Sequence, residues 1–243
     1  MKSRNGSSFY PVQEIGSLYT EVDGELRFPA KVASTEMFIG LTFYTEGYIR
    51  YRIEAAGEQR WKHTFAHTEK LKPIKAGVVE ESTSFVITAG PFVAHLHTAP
   101  YSLSIRDLYG HVVLEEFAGD VNARSEWISA PTGYTASSDQ QMSTRMNFAY
   151  SSDTSYYGTG ERFPSLRQNN RRITLWNDNP YGSGTDRAYK NIPLALTDRG
   201  YALLLHETAR STWDFGSTST FSCSIEVDQQ GIDLFIIVAP TMA

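Results

Sequence analysis

The sequence predicts an all-β protein built as an antiparallel two-sheet sandwich with few short helices. Three observations carry this. Hydrophobicity alternates with a period of two along several segments, turn signals containing glycine recur at short intervals, and no window of a dozen residues keeps a 3.6-residue period. At ordinary strand and connection lengths, such a chain holds about a dozen strands or more.

The elements follow in order. In Tyr48 to Ile53, the side chains of Ile49, Tyr51 and Ile53 fall on one face and Arg50 and Arg52 on the other. That is a strand with one dry and one wet side. Gly57 to His67 is the best helical candidate, although it is short and contains Thr64. Tyr101, Leu103 and Ile105 alternate with Ser102, Ser104 and Arg106. The stretch from Ala118 to Ser155 is polar and rich in Ser and Thr, and a long hairpin or an ordered excursion is expected there. Residues 167–190 have so many turn formers and so little alternation that a long loop is expected, with Trp176, Tyr181 and Tyr189 arguing for an ordered one. Tyr201 to Leu205 and Ile232 to Val238, the latter apolar but for Asp233, read as strands covered on both sides. In Phe221 to Val227 the odd positions are apolar and the even ones polar. Between these runs stand Asp23-Gly24, Thr45-Glu-Gly47, Ala89-Gly-Pro91, Tyr109-Gly110, Asp198-Arg-Gly200 and Gln230-Gly231. With no repeat and no Pro/Gly linker, residues 1–243 are expected to form one domain.

Composition narrows the function classes. The 243 residues are 41% hydrophobic, 13% aromatic and 20% charged, enough apolar material for a substantial core. The charge is 22 − 27 = −5 and is spread along the chain, so there is no electrostatic footprint for nucleic acid or an anionic membrane. The longest apolar run, Leu234 to Pro240, is too short to span a bilayer. A single cysteine, Cys223, excludes an internal disulfide and a thiolate zinc cage. The N-terminal stretch lacks an apolar core, so no signal peptide is expected and the location expected is cytoplasmic.

Most candidate chemistry is unsupported by its surroundings. His95 and His97 share one strand face, and His63 and His67 would share a helix face, but neither pair has the Glu neighbour or third ligand of a metal motif. Cys223 lies on the apolar side of its strand, where a thiol is a small core residue. There is no G-x-S-x-G elbow, and Gly158-Thr-Gly160 is not followed by a helical pattern that could cradle phosphate. No metal and no cofactor is implied. Asp178 and Asp186 lie in the aromatic-rich loop. Aromatic faces beside Asp, Asn and Arg suit a saccharide, whereas as turn formers the same residues need no ligand.

A set of motifs adds to this. Tyr157-Gly-Thr-Gly-Glu-Arg-Phe163, Leu175-Trp-Asn177, Ala188-Tyr-Lys-Asn-Ile-Pro193 and Asp198-Arg-Gly-Tyr201 resemble, in order and spacing, the N-terminal β-sandwich of family 31 glycoside hydrolases, the α-glucosidase and α-xylosidase group. Ser84 to Thr88 and Leu103 to Gly110 are similar to earlier strands of that domain. The resemblance spans roughly residues 15 to 241. It implies a galactose-mutarotase-like supersandwich that precedes a (β/α)8 barrel carrying the catalytic aspartates. Ala239-Pro240-Thr241 resembles the step into that barrel, so the chain is expected to hold no catalytic residue and to pack on the barrel. The resemblance also implies that the loop after Trp176-Asn177 reaches over the barrel mouth and binds sugar hydroxyls through an Asp. The family pattern, close to Trp-Asn-x-Asp, falls on Asn179, with Asp178 one residue earlier. The expected substrate-binding residues are Asp178, Asn179, Trp176 and Tyr181, with Glu161 and Arg162 fixing strand ends near the loop. An oligosaccharide and the barrel are the expected partners, and an uncovered barrel-docking face would permit self-association. Two rival readings are a free-standing carbohydrate-binding module and an aldose 1-epimerase. The latter needs a His acid and a Glu base, for which only His206-Glu207 offers a local pair, and adjacent strand residues point to opposite faces.

Overall fold

The computed structural model describes residues 8–32, 35–45, 47–55, 71–136 and 142–239, which contain 21 strands and no helix. The segment Gly57 to His67, with His63 and His67, lies outside the described residues. One layer is an eight-stranded antiparallel sheet. In spatial order it runs β15 (Tyr156–Gly158), β17 (Leu194–Thr197), β18 (Tyr201–Leu205), β21 (Ile232–Val238), β5 (Tyr48–Ala55), β4 (Thr35–Phe43), β3 (Glu25–Val32) and β2 (Thr20–Val22). Asp23 and Gly24, with φ of 52° and 79°, make the two-residue turn between β2 and β3. Positive φ at both positions matches the twist of a hairpin.

The facing layer has two parts. A six-stranded sheet runs β1 (Ser8–Pro11), β13 (Gly133–Ala136), β14 (Met142–Ala149), β20 (Ser222–Val227), β19 (Ser211–Phe215) and β16 (Arg172–Leu175). A five-stranded sheet runs β10 (Val112–Glu115), β9 (Tyr101–Asp107), β8 (Phe92–Thr98), β7 (Ser84–Ala89) and β6 (Gly77–Glu80). The two are joined where Glu116 bridges Phe148 and the Phe117 amide donates to the Asn147 carbonyl at 2.9 Å. One hydrophobic core lies between the layers. Phe28 meets Phe85 at 5.0 Å and Tyr156 meets Phe215 at 5.1 Å, while Trp213, Phe43 and Ile39 are fully buried. Each such side chain stabilises the fold by about 1.5–3 kcal/mol of transfer free energy.

The alternation seen in β5 is realised, with a refinement. Ile49, Tyr51 and Ile53 enter the core, and Arg50 and Arg52 stand on the outer face. These arginines are not simply solvated. Arg50 donates to Asp233 on β21, Arg52 donates to Glu25 on β3 at 2.7 Å, and both guanidiniums lie over rings, Phe235 and Phe38. Asp233 is buried, which favours its neutral form, but the hydrogen bonds from Arg50 and His206 outweigh that and hold its pKa at about 2.

Two expectations are overturned. Along β20 two of the three even positions are not wet, Glu226 alone being partly exposed. Ser222 and Ser224 are buried, because the small hairpin of β11 (Asp120–Val121) and β12 (Trp127–Ser129) folds over this end of the sheet and Ser129 bonds Ser222 at 2.8 Å. Phe221, expected on the core side, is 64% exposed, since it belongs to the turn before β20 rather than to the strand. The stretch 118–155 therefore holds both an excursion and the hairpin β13–β14, whose tip, 137–141, lies outside the described residues. The expected loop at 167–190 is also interrupted. Arg172–Leu175 is an edge strand paired with β19.

Candidate functional site

The loop proper runs from Trp176 to Pro193, between β16 and β17. Its braces start in the Gly158-Thr-Gly160 motif. Gly160 has φ of 95°, and a Cβ placed there would stand 2.0 Å from the Lys190 carbonyl oxygen. Only glycine permits that approach, which lets the Glu161 amide donate to the same carbonyl at 3.0 Å. The glycines thus serve backbone packing, not phosphate. Arg162 then ties three segments together. It donates to the Thr174 carbonyl at 3.1 Å, to Asn191 Oδ1 at 2.5 Å and to the Asp186 carbonyl. Burial lowers the pKa of this guanidinium, which costs stability, but fixed acceptors are what a buried charge requires.

Further ties close the loop on itself. Asn177 bridges Ala188, the Asp178 amide donates to the Ala188 carbonyl at 3.1 Å, and Asn191 Nδ2 donates to Asn177 Oδ1 at 2.9 Å. Arg171 donates to the Asp186 carboxylate. Asp186 is thereby a tether, not a group presented to a ligand. Glu161 meets Lys190 at 3.0 Å, an exposed pair that adds little. Arg162 holds the end of β16 through the Thr174 carbonyl, as the sequence implied, whereas the Glu161 side chain contributes little.

Asp178, Asn179 and Tyr181 form the outer turn. Asp178 Oδ1 accepts the Asn179 amide at 2.8 Å and Asn179 Oδ1 accepts the Tyr181 amide at 3.1 Å, so both side chains cap their own backbone. The second oxygen of Asp178 lies 3.4 Å from Arg187 Nε, and the side chain is 47% exposed. Water or a sugar hydroxyl can therefore reach it. Trp176 is 55% exposed and Tyr181 is 84% exposed. The loop is ordered as expected, although not by its rings. Order comes from the Arg162 and Asn191 hydrogen bonds, and the rings are left outward with Phe163, Tyr189 and Ile192 in the neighbouring segments. The arrangement offers hydrogen-bond acceptors beside apolar faces. It brings no second carboxylate opposite Asp178.

The other candidates fall away. Cys223 is enclosed in the core, and burial pushes its pKa up to about 12. His206 is buried, bonded to Asp233 at 3.0 Å and set edge-on to Phe235 at 5.3 Å, a structural imidazole rather than an acid poised over a substrate. Among the described residues no group of three or more His, Cys, Asp or Glu could hold a metal. Sequence reasoning missed one group. Glu116 is enclosed by hydroxyls: Tyr51 donates to it at 2.5 Å, Thr132 donates to its other oxygen, and Tyr51 lies 2.5 Å from the Tyr101 hydroxyl. Burial raises its pKa to about 7 despite those donors. Its partners come from three distant segments, so no local pattern announces it.

The fold and the loop define an antiparallel β-supersandwich that presents one braced, aromatic-flanked turn. Residues 39–214 match the family model described as the glycosyl hydrolase 31 N-terminal galactose mutarotase-like domain, and the chain belongs to that family. Over 89 residues it is 32% identical to alpha-xylosidase XylQ of Lactiplantibacillus pentosus, covering 37% of this chain and 12% of that protein. Among solved structures it resembles the cycloalternan-forming enzyme of Listeria monocytogenes, determined with a pentasaccharide substrate, at a TM-score of 0.75 and 16% identity, covering 96% of this chain and 21% of that one. It also resembles the family 31 dextranase of Flavobacterium johnsoniae, complexed with isomaltotriose, at a TM-score of 0.74 and 20% identity, covering 95% and 27%. The chain thus spans about an eighth to a quarter of the length of these relatives.

Proposed function

We propose that this chain is the non-catalytic N-terminal domain of an α-glycosidase of family 31, packing on a catalytic (β/α)8 barrel and lending the 176–193 loop to its substrate pocket. In this reading Asp178 accepts sugar hydroxyls, Asn179 adds a neutral hydrogen bond, and Trp176 and Tyr181 pack on apolar sugar faces. The observation that carries it is the loop itself. Hydrogen bonds from Arg162, Arg171 and Asn191 hold it in one shape, yet its outer turn keeps Asp178, Trp176 and Tyr181 open. A turn with no ligand has little need of such bracing. The similarity to XylQ favours an α-xyloside over other α-glycosides. The exposed apolar residues beside the loop suit a docked barrel, and self-association of the isolated chain would follow from leaving them uncovered.

The test is kinetic. The chain alone should not release nitrophenol from p-nitrophenyl α-xyloside or α-glucoside. Joined to its barrel, Asp178→Ala should raise KM about tenfold or more with a smaller change in kcat, the loss of one charged hydrogen bond. Turnover by the chain alone, or an Asp178→Ala enzyme with unaltered KM, would refute the proposal.

A further inference from the structure

A cavity of about 360 Å³ opens where the chain leaves β14, beside the turn before β20 and the 165–171 segment. Two arginines line it, Arg167 and Arg171, with the hydroxyls of Ser152 and Thr220 and the carboxamide of Asn170, and no carboxylate. The only charged side chains in its lining are these two arginines, although Asp186, outside the lining, pairs with Arg171.

The cavity is open, with Ser152, Arg167, Asn170 and Thr220 exposed, but the chain that forms it is fixed. Asn169 receives Arg167 Nε and the Tyr156 amide, both at 2.9 Å, and donates to the Tyr150 hydroxyl and the Thr154 carbonyl, both at 2.7 Å. Asn170 is held in the left-handed region, φ 59°, by its amide's 2.7 Å bond to the Phe215 carbonyl. Buried Gln168 accepts from Arg171 at 3.1 Å. These bonds aim the two guanidiniums and leave donors unused. Among the described residues, neither terminal nitrogen of Arg167 has a protein partner, and the same holds for the Ser152 and Thr220 hydroxyls and the Asn170 amide group.

A planar guanidinium fork flanked by hydroxyl and amide donors is the chemistry of tetrahedral oxyanion recognition. A cation would meet the Arg167 guanidinium and Arg171, whose charge Asp186 only partly offsets, and a neutral sugar would not engage the charge of Arg167. We propose that this cavity binds a phosphate-type oxyanion, either free or as the monoester of a sugar whose ring lies against Tyr150. Asp186, outside the cavity, competes with the anion for Arg171. The inference is independent of the proposed glycosidase role.

Titration of the full chain with inorganic phosphate, at ionic strength held constant with chloride, tests it by calorimetry and amide chemical shifts. Saturable binding with a dissociation constant of about 1 mM or tighter is expected, with shifts confined to the amides around Ser152, Asn170, Arg171 and Thr220. Arg167→Gln should weaken it about tenfold or more, Arg167→Lys less, and Asp186→Asn should tighten it by releasing Arg171. Tighter binding of glucose 1-phosphate than of phosphate identifies the monoester as the ligand, and weaker binding identifies the free anion. Absence of saturation in the wild-type chain, or affinity unchanged in both Arg167 variants, overturns the proposal.

Discussion

Replacing Glu116 by Gln should remove an unusual pH dependence of stability. The Glu116 carboxyl is closed in by the hydroxyls of Tyr51, Tyr101 and Thr132, at the point where the five- and six-stranded sheets meet above β5. Burial raises its pKa from 4.5 to about 7, so the folded state keeps a proton that the unfolded chain releases. A folded pKa above the unfolded one means that its contribution is fully present below about pH 4.5 and is lost as pH rises through 7. At about 1.4 kcal/mol per tenfold change in proton affinity, the loss is about 3 kcal/mol, a large share of a domain's usual stability. Urea unfolding at pH 5, 6, 7 and 8 measures it. Wild type should weaken across this range and Glu116→Gln should lack about 2.5 kcal/mol of that change, because the amide has no proton to lose and the unfolded carboxyl is already mostly ionised at pH 5. The difference between the two proteins cancels every other titrating group. Parallel profiles, or a wild type that strengthens towards pH 8, would show that the enclosed carboxyl is ionised at little cost.

Three other outcomes are expected. Gly160→Ala should destabilise the chain by about 2 kcal/mol or more, because its Cβ would collide with the Lys190 carbonyl; an unchanged melting temperature counts against the close packing described. Arg162→Ala should leave the sandwich folded but speed hydrogen exchange at the Asp178 and Glu161 amides about tenfold or more, by freeing Asp186, Thr174 and Asn191 from one another. Cys223 should resist a thiol reagent at pH 7 in the folded chain and react at once in urea; rapid labelling of the native protein contradicts its enclosure.

How far each feature could be read from the sequence follows from where its causes lie. The β5, β9 and β21 strands were legible because side-chain alternation and apolar runs are local consequences of the pleat. Turn glycines were legible for the same reason, and the family motifs placed the candidate loop between Trp176 and Pro193. The family motifs also pointed to Asp178, whereas the residues alone fit an ordinary turn, and its carboxylate does accept the next backbone amide. The sequence could not reveal that Asp186 is a tether, that Ser222 and Ser224 are covered while Phe221 is exposed, or that the loop contains an edge strand. Each depends on which distant segment lies above: Arg171 for Asp186, the β11–β12 hairpin for Ser222, β19 for Arg172–Leu175. Glu116 is the extreme case, with hydrogen-bonding partners at Tyr51, Tyr101 and Thr132. Periodicity and propensity report the neighbours of a residue along the chain. Burial and proton affinity are set by its neighbours in space, and in a sandwich of long-range pairings only the folded molecule brings those together.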